Sequence, residues 1–198
     1  MNHYYSKDPE TTHDFCTINY LIGKVSLTFN TDSCVFSKRK VDFGSNLLIN
    51  SIPPLSSCKI LDMGCGYGAI GISISKLNPS CSITMVDINS RAVELAKKNI
   101  DINQIVNASA SQSDGFSDVK GSFDLIVSNP PIRIGKKIMY RIFEDSINFL
   151  APGGTLYLVI QKKQGAKSAV AKLESIFQNC EVVNKSGGYW IIKSCRRV

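Results

Sequence analysis

Residues 59–71, K-I-L-D-M-G-C-G-Y-G-A-I-G, constrain this chain more than any other stretch. The apolar pair Ile60 and Leu61 leads to an acid, Asp62. Gly64, Gly66 and Gly68 follow at alternate positions before an amphipathic run. That order predicts a buried strand, a tight turn and the start of a helix. Glycine suits such a turn because it accepts positive φ and leaves no Cβ between the backbone and a ligand. The helix N-terminus beyond it offers unpaired N–H groups and the positive end of a dipole.

The rest of the chain repeats this strand-to-helix step. A helix over 68–77 stops at Asn78-Pro79, and a strand over 82–86 ends in Asp87. A helix over 90–102 opens on Asn89-Ser90 and carries the stripe Ala92, Val93, Leu95, Ala96 and Ile100. A short strand near 106–110 precedes Asp114-Gly115. The run 123–127 is apolar apart from Asp124 near its start, as expected of a strand buried on both faces. A helix over 135–150, a stop-and-turn at 151–154, a strand over 155–160 and a helix over 166–178 follow. The chain closes on strands 181–185 and 189–194 around Ser186-Gly187-Gly188. This alternation demands parallel strands with right-handed crossovers, whereas the closing tight turn makes the last two strands antiparallel. The fold class is therefore α/β and Rossmann-like.

Ahead of that core, Ile18, Tyr20 and Ile22 alternate with polar residues, as do Val25, Leu27 and Phe29. Gly23-Lys24 between them predicts a β-hairpin. Val35-Phe36 reads as a short strand, and 44–50 as a helix ended by Pro53-Pro54. We expect a single domain over 1–198, with 1–57 as a hairpin and lid extension on a core spanning 58–198. A chain of 198 residues is of ordinary single-domain size.

Composition narrows the function classes. No run approaches the ~20 apolar residues of a membrane span. Residues 1–10 are polar and include Asp8 and Glu10, unlike a secretory signal, so a cytoplasmic location and no membrane partner are expected. Seven cysteines are scattered without a C-x-x-C, and the two histidines, His3 and His13, lie near the N-terminus. We expect reduced, mostly buried thiols and no metal site. A formal charge of +7 and a pI near 9.0 favour an anionic partner.

In an open α/β sheet the ligand sits beyond the carboxyl ends of the strands. The unusual residues of this chain gather at those ends: 62–68, Asp87, Asp114, 129–132 and 161–164. Gly66, Gly68 and Gly71 satisfy G-x-G-x-x-G, and Asp87 follows about 20 residues on. Such an acid accepts from ribose hydroxyls, which fits NAD and S-adenosylmethionine alike. Asp62 separates them, because a carboxylate before the glycines suits an ammonium group and repels a pyrophosphate. Asp114 is placed to accept from an adenine amino group. Asn129-Pro130-Pro131 then offers a ligand acceptors, since neither proline has an N–H to donate. The Asn129 side-chain oxygen and the Pro130 carbonyl match the two hydrogens of a planar amino group. Held there, its nitrogen lone pair can be aimed at an electrophile by positioning and preorganised electrostatics.

These residues resemble those of the small-domain family of class I S-adenosylmethionine-dependent methyltransferases, which includes ribosomal small-subunit RNA guanine-N2 methyltransferases. The resemblance rests on H-Y-Y-S near the start, V-F-S and V-D-F-G-S, the 61–71 loop, M-V-D-I-N, S-N-P-P-I-R-I-G-K and L-A-P-G-G. It implies a seven-stranded, mostly parallel sheet whose last strand is reversed. It also implies that Asp62, Gly64, Cys65, Gly66 and Gly68 cradle the cofactor, with Asp87 on its ribose. Ile88 and Asp114 would meet the adenine. Asn129, Pro130, Pro131 and Ile132 would present the target amine, with Asn129 also at the cofactor. Phe36 and residues 42–45 fall in the segment that closes over cofactor or substrate. Many amino-methyltransferases carry an aromatic residue where this chain has Ile132, which leaves Phe36, or no residue, to stack on the base.

Arg133, Lys136 and Lys137 follow one rim strand, and Lys162, Lys163 and Lys167 another. Lys38-Arg39-Lys40 lies beside the lid segment. We expect these groups to neutralise RNA phosphates, with guanine N2 of ribosomal RNA, or of a ribosomal subunit, as target. A protein-glutamine N-methyltransferase presents the same two amide hydrogens. A nicotinamide oxidoreductase leaves Asp62 and Asn129-Pro130-Pro131 unexplained, and a non-enzymatic RNA-binding or assembly factor remains a third class.

Overall fold

A seven-stranded sheet forms the centre of the computed structural model, which describes residues 12–33, 35–130 and 135–197. In chain order the elements are the hairpin β1 (Cys16–Ile22) and β2 (Val25–Thr31), helix α1 (Phe43–Ser51), β3 (Lys59–Met63), α2 (Ala69–Leu77) and β4 (Ser82–Asp87). Then come α3 (Ser90–Ile102), β5 (Ala108–Gln112), β6 (Phe123–Ser128), α4 (Lys136–Phe149) and β7 (Leu150–Gln161). Helix α5 (Ala166–Phe177) leads to β8 (Glu181–Ser186) and β9 (Tyr189–Cys195). The sheet order is β5-β4-β3-β6-β7-β9-β8. Strands β3 to β7 pair in parallel, while β9 runs antiparallel to both of its neighbours. The reversed last strand is thus slotted between β7 and β8. Among the described residues no helix is long and apolar enough to cross a membrane.

Successive residues of each inner strand serve opposite faces, as the two-residue strand period requires. Ile60, Leu125, Val127, Val159 and Ile191 join the core under α1, α2 and α3. Their neighbours Leu61, Ile126, Leu158, Ile160 and Ile192 join the core under α4 and α5. Continuous apolar strands follow from this two-sided burial.

The β1–β2 hairpin buries Ile18, Ile22, Leu27 and Phe29 against the first of these cores. Its free edge is closed by side chains. Asn99 accepts from Asn30 N (2.7 Å) and donates to Asn30 O (2.9 Å). Asn103, the C-cap of α3 and one turn further on, does the same to Thr28 at 2.9 and 2.7 Å. A four-residue helical spacing and a two-residue strand spacing cover nearly the same distance, about 6–7 Å. Two asparagines therefore act as a substitute strand and satisfy backbone groups that would otherwise be unpaired.

Three expectations are corrected. Val35-Phe36 is not a strand, because the chain curls back there. The buried Asp32 carboxylate takes the N–H groups of Asp14 and Ser33, and Thr31 Oγ1 donates to Lys38 O at 2.6 Å. The third core strand starts at Ala108 rather than 106, since the Asn107 side chain donates to Cys81 O (2.8 Å) and receives Ser75 Oγ, holding the preceding residues in a turn. Strand β7 reaches back to Leu150, and residues 151–154 bulge from it. Gly153 N donates to Arg196 O and Arg196 N to Gly154 O, both at 2.9 Å.

Asn99→Leu and Asn103→Leu each remove three side-chain hydrogen bonds, two of them to the hairpin, and leave the two hairpin backbone groups unpaired. Each is expected to lower urea-unfolding stability by about 2 kcal/mol and to speed amide exchange at Asn30 or Thr28 respectively. Unchanged exchange would mean that the apolar face alone holds the hairpin.

Candidate active site

The strand order reverses between β3 and β6, and a cavity of about 460 Å3 opens at the carboxyl ends of the strands there. Its floor is the turn after β3. Gly64 and Gly66 adopt φ of +74° and +57° and line the cavity, and a Cβ built on either would meet nothing within 4 Å. Backbone conformation, not crowding, demands glycine there, and the space over the turn is left to a ligand. Gly64 N and Cys65 N both donate to Val86 O, which ties the turn to β4.

Asp62 lies wholly buried beneath this turn. One carboxylate oxygen accepts from Gly71 N at 2.8 Å in the first part of α2. The other, Oδ1, has no partner among the described residues. Burial pushes the Asp62 carboxyl up to about 7, opposed by the Gly71 N–H and reinforced by the charge of Asp87. Asp87, at the end of β4, accepts from Gly66 N (2.8 Å) and Asn89 N (2.9 Å). Burial raises its carboxyl too, against those backbone donors. Cys65 is a buried thiol pushed well up by burial and by both carboxylates, so it sits there protonated. A buried, half-satisfied carboxylate under an open glycine turn fits the cationic methionine end of S-adenosylmethionine and suits a pyrophosphate poorly.

At the other end of the cavity, Asn129 follows β6. Its Nδ2 donates to Asp42 Oδ2 (3.1 Å) and to Ser45 Oγ (3.0 Å). Asp42 is the N-cap of α1, accepting from Ser45 N at 3.2 Å. The N-terminal extension thus reaches the rim of the core, and no described residue donates to Asn129 Oδ1. Pro130 is buried and lines the same wall.

The cavity brings together Gly64, Cys65, Gly66, Asp87, Ile88, Asp114, Asn129, Pro130 and Phe36, all expected from sequence. Asp62 stands behind the wall rather than in it. Gly68 does not reach the cavity. It is the left-handed N-cap of α2, where a Cβ would come 2.8 Å from Ile72 Cδ1. Pro131, Ile132 and Arg133 fall outside the described residues. Lys136, Lys137, Lys162 and Lys163 are exposed outside the cavity. Lys136 Cε nevertheless lies 3.9 Å from the position of a Cβ on Gly165, so the two lysine pairs adjoin, beside Gln161 and Gln164 of the rim.

Several lining residues were not singled out from sequence, notably Tyr189, Arg141 and Asp145. Tyr189 comes from the reversed strand β9, so no periodicity or motif could have placed it by the rim. Arg141 and Asp145 share a face of α4 and pair at 3.5 Å. Their i,i+4 spacing was readable, but which face turned to the cavity was not.

This strand order, with a reversed strand slotted next to the edge and a cavity at the switch point, is that of the Rossmann-like methyltransferase fold. The methyltransferase small domain family model matches residues 26–193, and the chain belongs to that family. It is 48% identical over 195 residues to the "Uncharacterized protein YbxB" of Bacillus subtilis (strain 168), covering 97% of each chain. It is 41% identical over 138 residues to the ribosomal RNA small subunit methyltransferase C of Haemophilus influenzae, covering 68% of this chain and 42% of that one. Among solved structures it superposes on a T. thermophilus 16S rRNA N2 methyltransferase (RsmC) in complex with AdoMet and guanosine. There the TM-score is 0.84 and the identity 24%, over 96% of this chain and 52% of that one. The chain spans about half the length of these two ribosomal RNA methyltransferases.

The raised Asp62 carboxyl sets a pH dependence. The folded protein keeps this proton up to about 7, whereas an unfolded chain releases it near its ordinary value of about 4. The native state therefore binds the extra proton in between, and this group's contribution to stability is lost as pH rises through 7. Between about pH 5.5 and about pH 8, urea-unfolding stability is expected to fall more for the wild type than for Asp62→Asn, which does not titrate. Parallel pH profiles would show that Asp62 is already ionised in the fold.

Proposed function

We propose that this chain methylates an exocyclic amino group, guanine N2 of ribosomal RNA, with S-adenosylmethionine as methyl donor. One observation carries the reading most directly: the Asn129 nitrogen is engaged by Asp42 and Ser45, so its side-chain oxygen is the end left for the target. That oxygen and the Pro130 carbonyl are paired acceptors for the two hydrogens of a planar amine. The bound cofactor supplies an electrophilic methyl group on a sulfonium. Gly64, Cys65 and Gly66 cradle its methionine part, with the Asp62 carboxylate beneath, and Asp87 accepts from its ribose. Ile88 packs on the adenine, and Asp114 accepts from the adenine amino group. The target nitrogen, with both hydrogens held, points its lone pair toward the methyl and releases its proton to water after transfer. No strong base is required.

The substrate reading draws on the relatives named above and on the charge around the rim. Lys136, Lys137, Lys162 and Lys163 form one exposed basic patch beside the cavity mouth. Arg133 belongs to the same basic set by sequence. Phe36, half exposed at the mouth, is the aromatic available to stack on a flipped-out base where Ile132 cannot. The six described cysteines are free thiols, which suits a reducing cytoplasm.

Transfer of tritiated methyl groups to unmodified ribosomal RNA, followed by nucleoside analysis, is the direct test, with N2-methylguanosine the expected product. Asn129→Ala should keep S-adenosylhomocysteine affinity within about threefold yet cut methyl transfer about 100- to 1000-fold. Full activity in that variant would sink the role given to Asn129. Changing Lys162 and Lys163 together to Ala should reduce the slope of log affinity against log salt by roughly 1.5. An unaltered slope would remove both lysines from the RNA surface.

A further inference from the structure

The amide of Asn129 has two ends of opposite hydrogen-bonding character, and a rotation of its plane would exchange them. Presented the wrong way, its NH2 would meet the N–H groups of an amine, donor against donor. The contact with Asp42 removes this ambiguity. A carboxylate only accepts, so the atom 3.1 Å from Asp42 Oδ2 is the nitrogen; an oxygen there would face another oxygen. Ser45 Oγ, at 3.0 Å, takes the second hydrogen.

We infer that Asp42 and Ser45 are the positioning residues for Asn129, fixing which end of its amide meets the target amine and strengthening that end as an acceptor. The inference rests on the reading that Asn129 holds the methylated amine. A carboxylate on the NH2 side polarises the amide and puts more negative charge on Oδ1. As the new N–C bond forms and the sulfonium S–C bond breaks, the target nitrogen becomes positive until its proton passes to water. Its hydrogen bond to Oδ1 strengthens over the same interval, which is when stabilisation raises rate.

The pair is itself held firmly. Ser45 N donates to the same Asp42 Oδ2, and Asp42 caps α1. A Cβ on Gly44 would come 2.9 Å from both Asp42 Oδ2 and the Tyr189 ring, so only glycine lets α1 approach β9 this closely. Phe43 lies 5.7 Å from Tyr189, ring to ring, and a Cβ on Gly187 would come 2.6 Å from Phe43. The lid segment and the last hairpin thereby fix an atom that belongs to neither of them.

The test uses the full chain and two readouts. In steady-state transfer from S-adenosylmethionine to unmodified 16S ribosomal RNA, Asp42→Ala should lower kcat about 100-fold while cofactor KM stays within about threefold. Asp42→Asn separates positioning from capping, because asparagine caps a helix as well as aspartate does. It should keep the melting temperature and still lose about tenfold in kcat through the missing charge. Ser45→Ala should lose less than Asp42→Ala. An unchanged kcat in Asp42→Asn, or a loss confined to cofactor KM, overturns the inference. The second readout needs no activity: with 15N-labelled asparagine, the Asn129 side-chain NH2 protons should be shifted and slow to exchange in the wild type. The effects on the proton held by Asp42 should vanish in Asp42→Ala, and their persistence there also overturns the inference. A wild type that transfers no methyl yet shows the protected NH2 pair condemns the proposed function and leaves the positioning intact.

Discussion

A carboxylate buried under the glycine turn, Asp62, joins strand β3 to helix α2 through the N–H of Gly71. Much of the site depends on that contact. It requires glycine at 71, where a Cβ would come 2.4 Å from Met85 Sδ and 3.0 Å from Asp62 Oδ2. The close approach seats α2 on β3 and β4 and leaves the preceding turn arched over the strand ends. The contact is also costly. Asp62 has one oxygen paired and the other without a partner among the described residues, and burial has moved its carboxyl far from the usual range. A scaffold selected for stability alone would place an apolar side chain there. An acid kept half satisfied beneath an open cradle suits a site completed by a cationic ligand.

The N-terminal extension belongs to this site as well. Its hairpin is docked twice, by an apolar face and by the asparagine pair on α3. The docking sets where the chain leaves β2, and the buried Asp32 with Thr31 then curls it across the cavity mouth. Phe36 and Asp42 arrive at the rim as a consequence. Asp32 also meets Arg91 at the start of α3, four residues after Asp87 at the end of β4, and burial at this junction is outweighed by backbone N–H, Arg91 and His13 partners that hold its carboxyl low. Sequence places the lid far from the core motifs, but the fold sets both on one wall.

How much could be read in advance differs from element to element. The strand at 59–63 and the helix at 90–102 were legible because local patterns fix them: an apolar run before glycines, and a capped 3.6-residue stripe. The start of β5 was misplaced by two residues because Asn107, polar and unremarkable in sequence, spends its side chain on Cys81 and Ser75. Val35-Phe36 looked extended because β-branched and aromatic residues favour strands, yet a strand needs a neighbouring ladder and the fold supplies none there. Gly68 looked like part of the cradle by spacing alone, whereas its contacts make it the left-handed start of a helix.

The sequence by itself determined the parallel α/β plan, the reversal of the closing hairpin, and the strand ends at which chemistry had to gather. Those follow from short-range constraints: two-residue and 3.6-residue periods, glycine and proline dihedrals, and the handedness of crossovers. Only the tertiary structure decided that β9 enters between β7 and β8, that Tyr189 joins the cavity wall, and that Asp42 meets Asn129 across 87 residues of chain. Those facts depend on which faces bury against each other and at what register, and a carboxylate in a sequence does not state which amide it will hold.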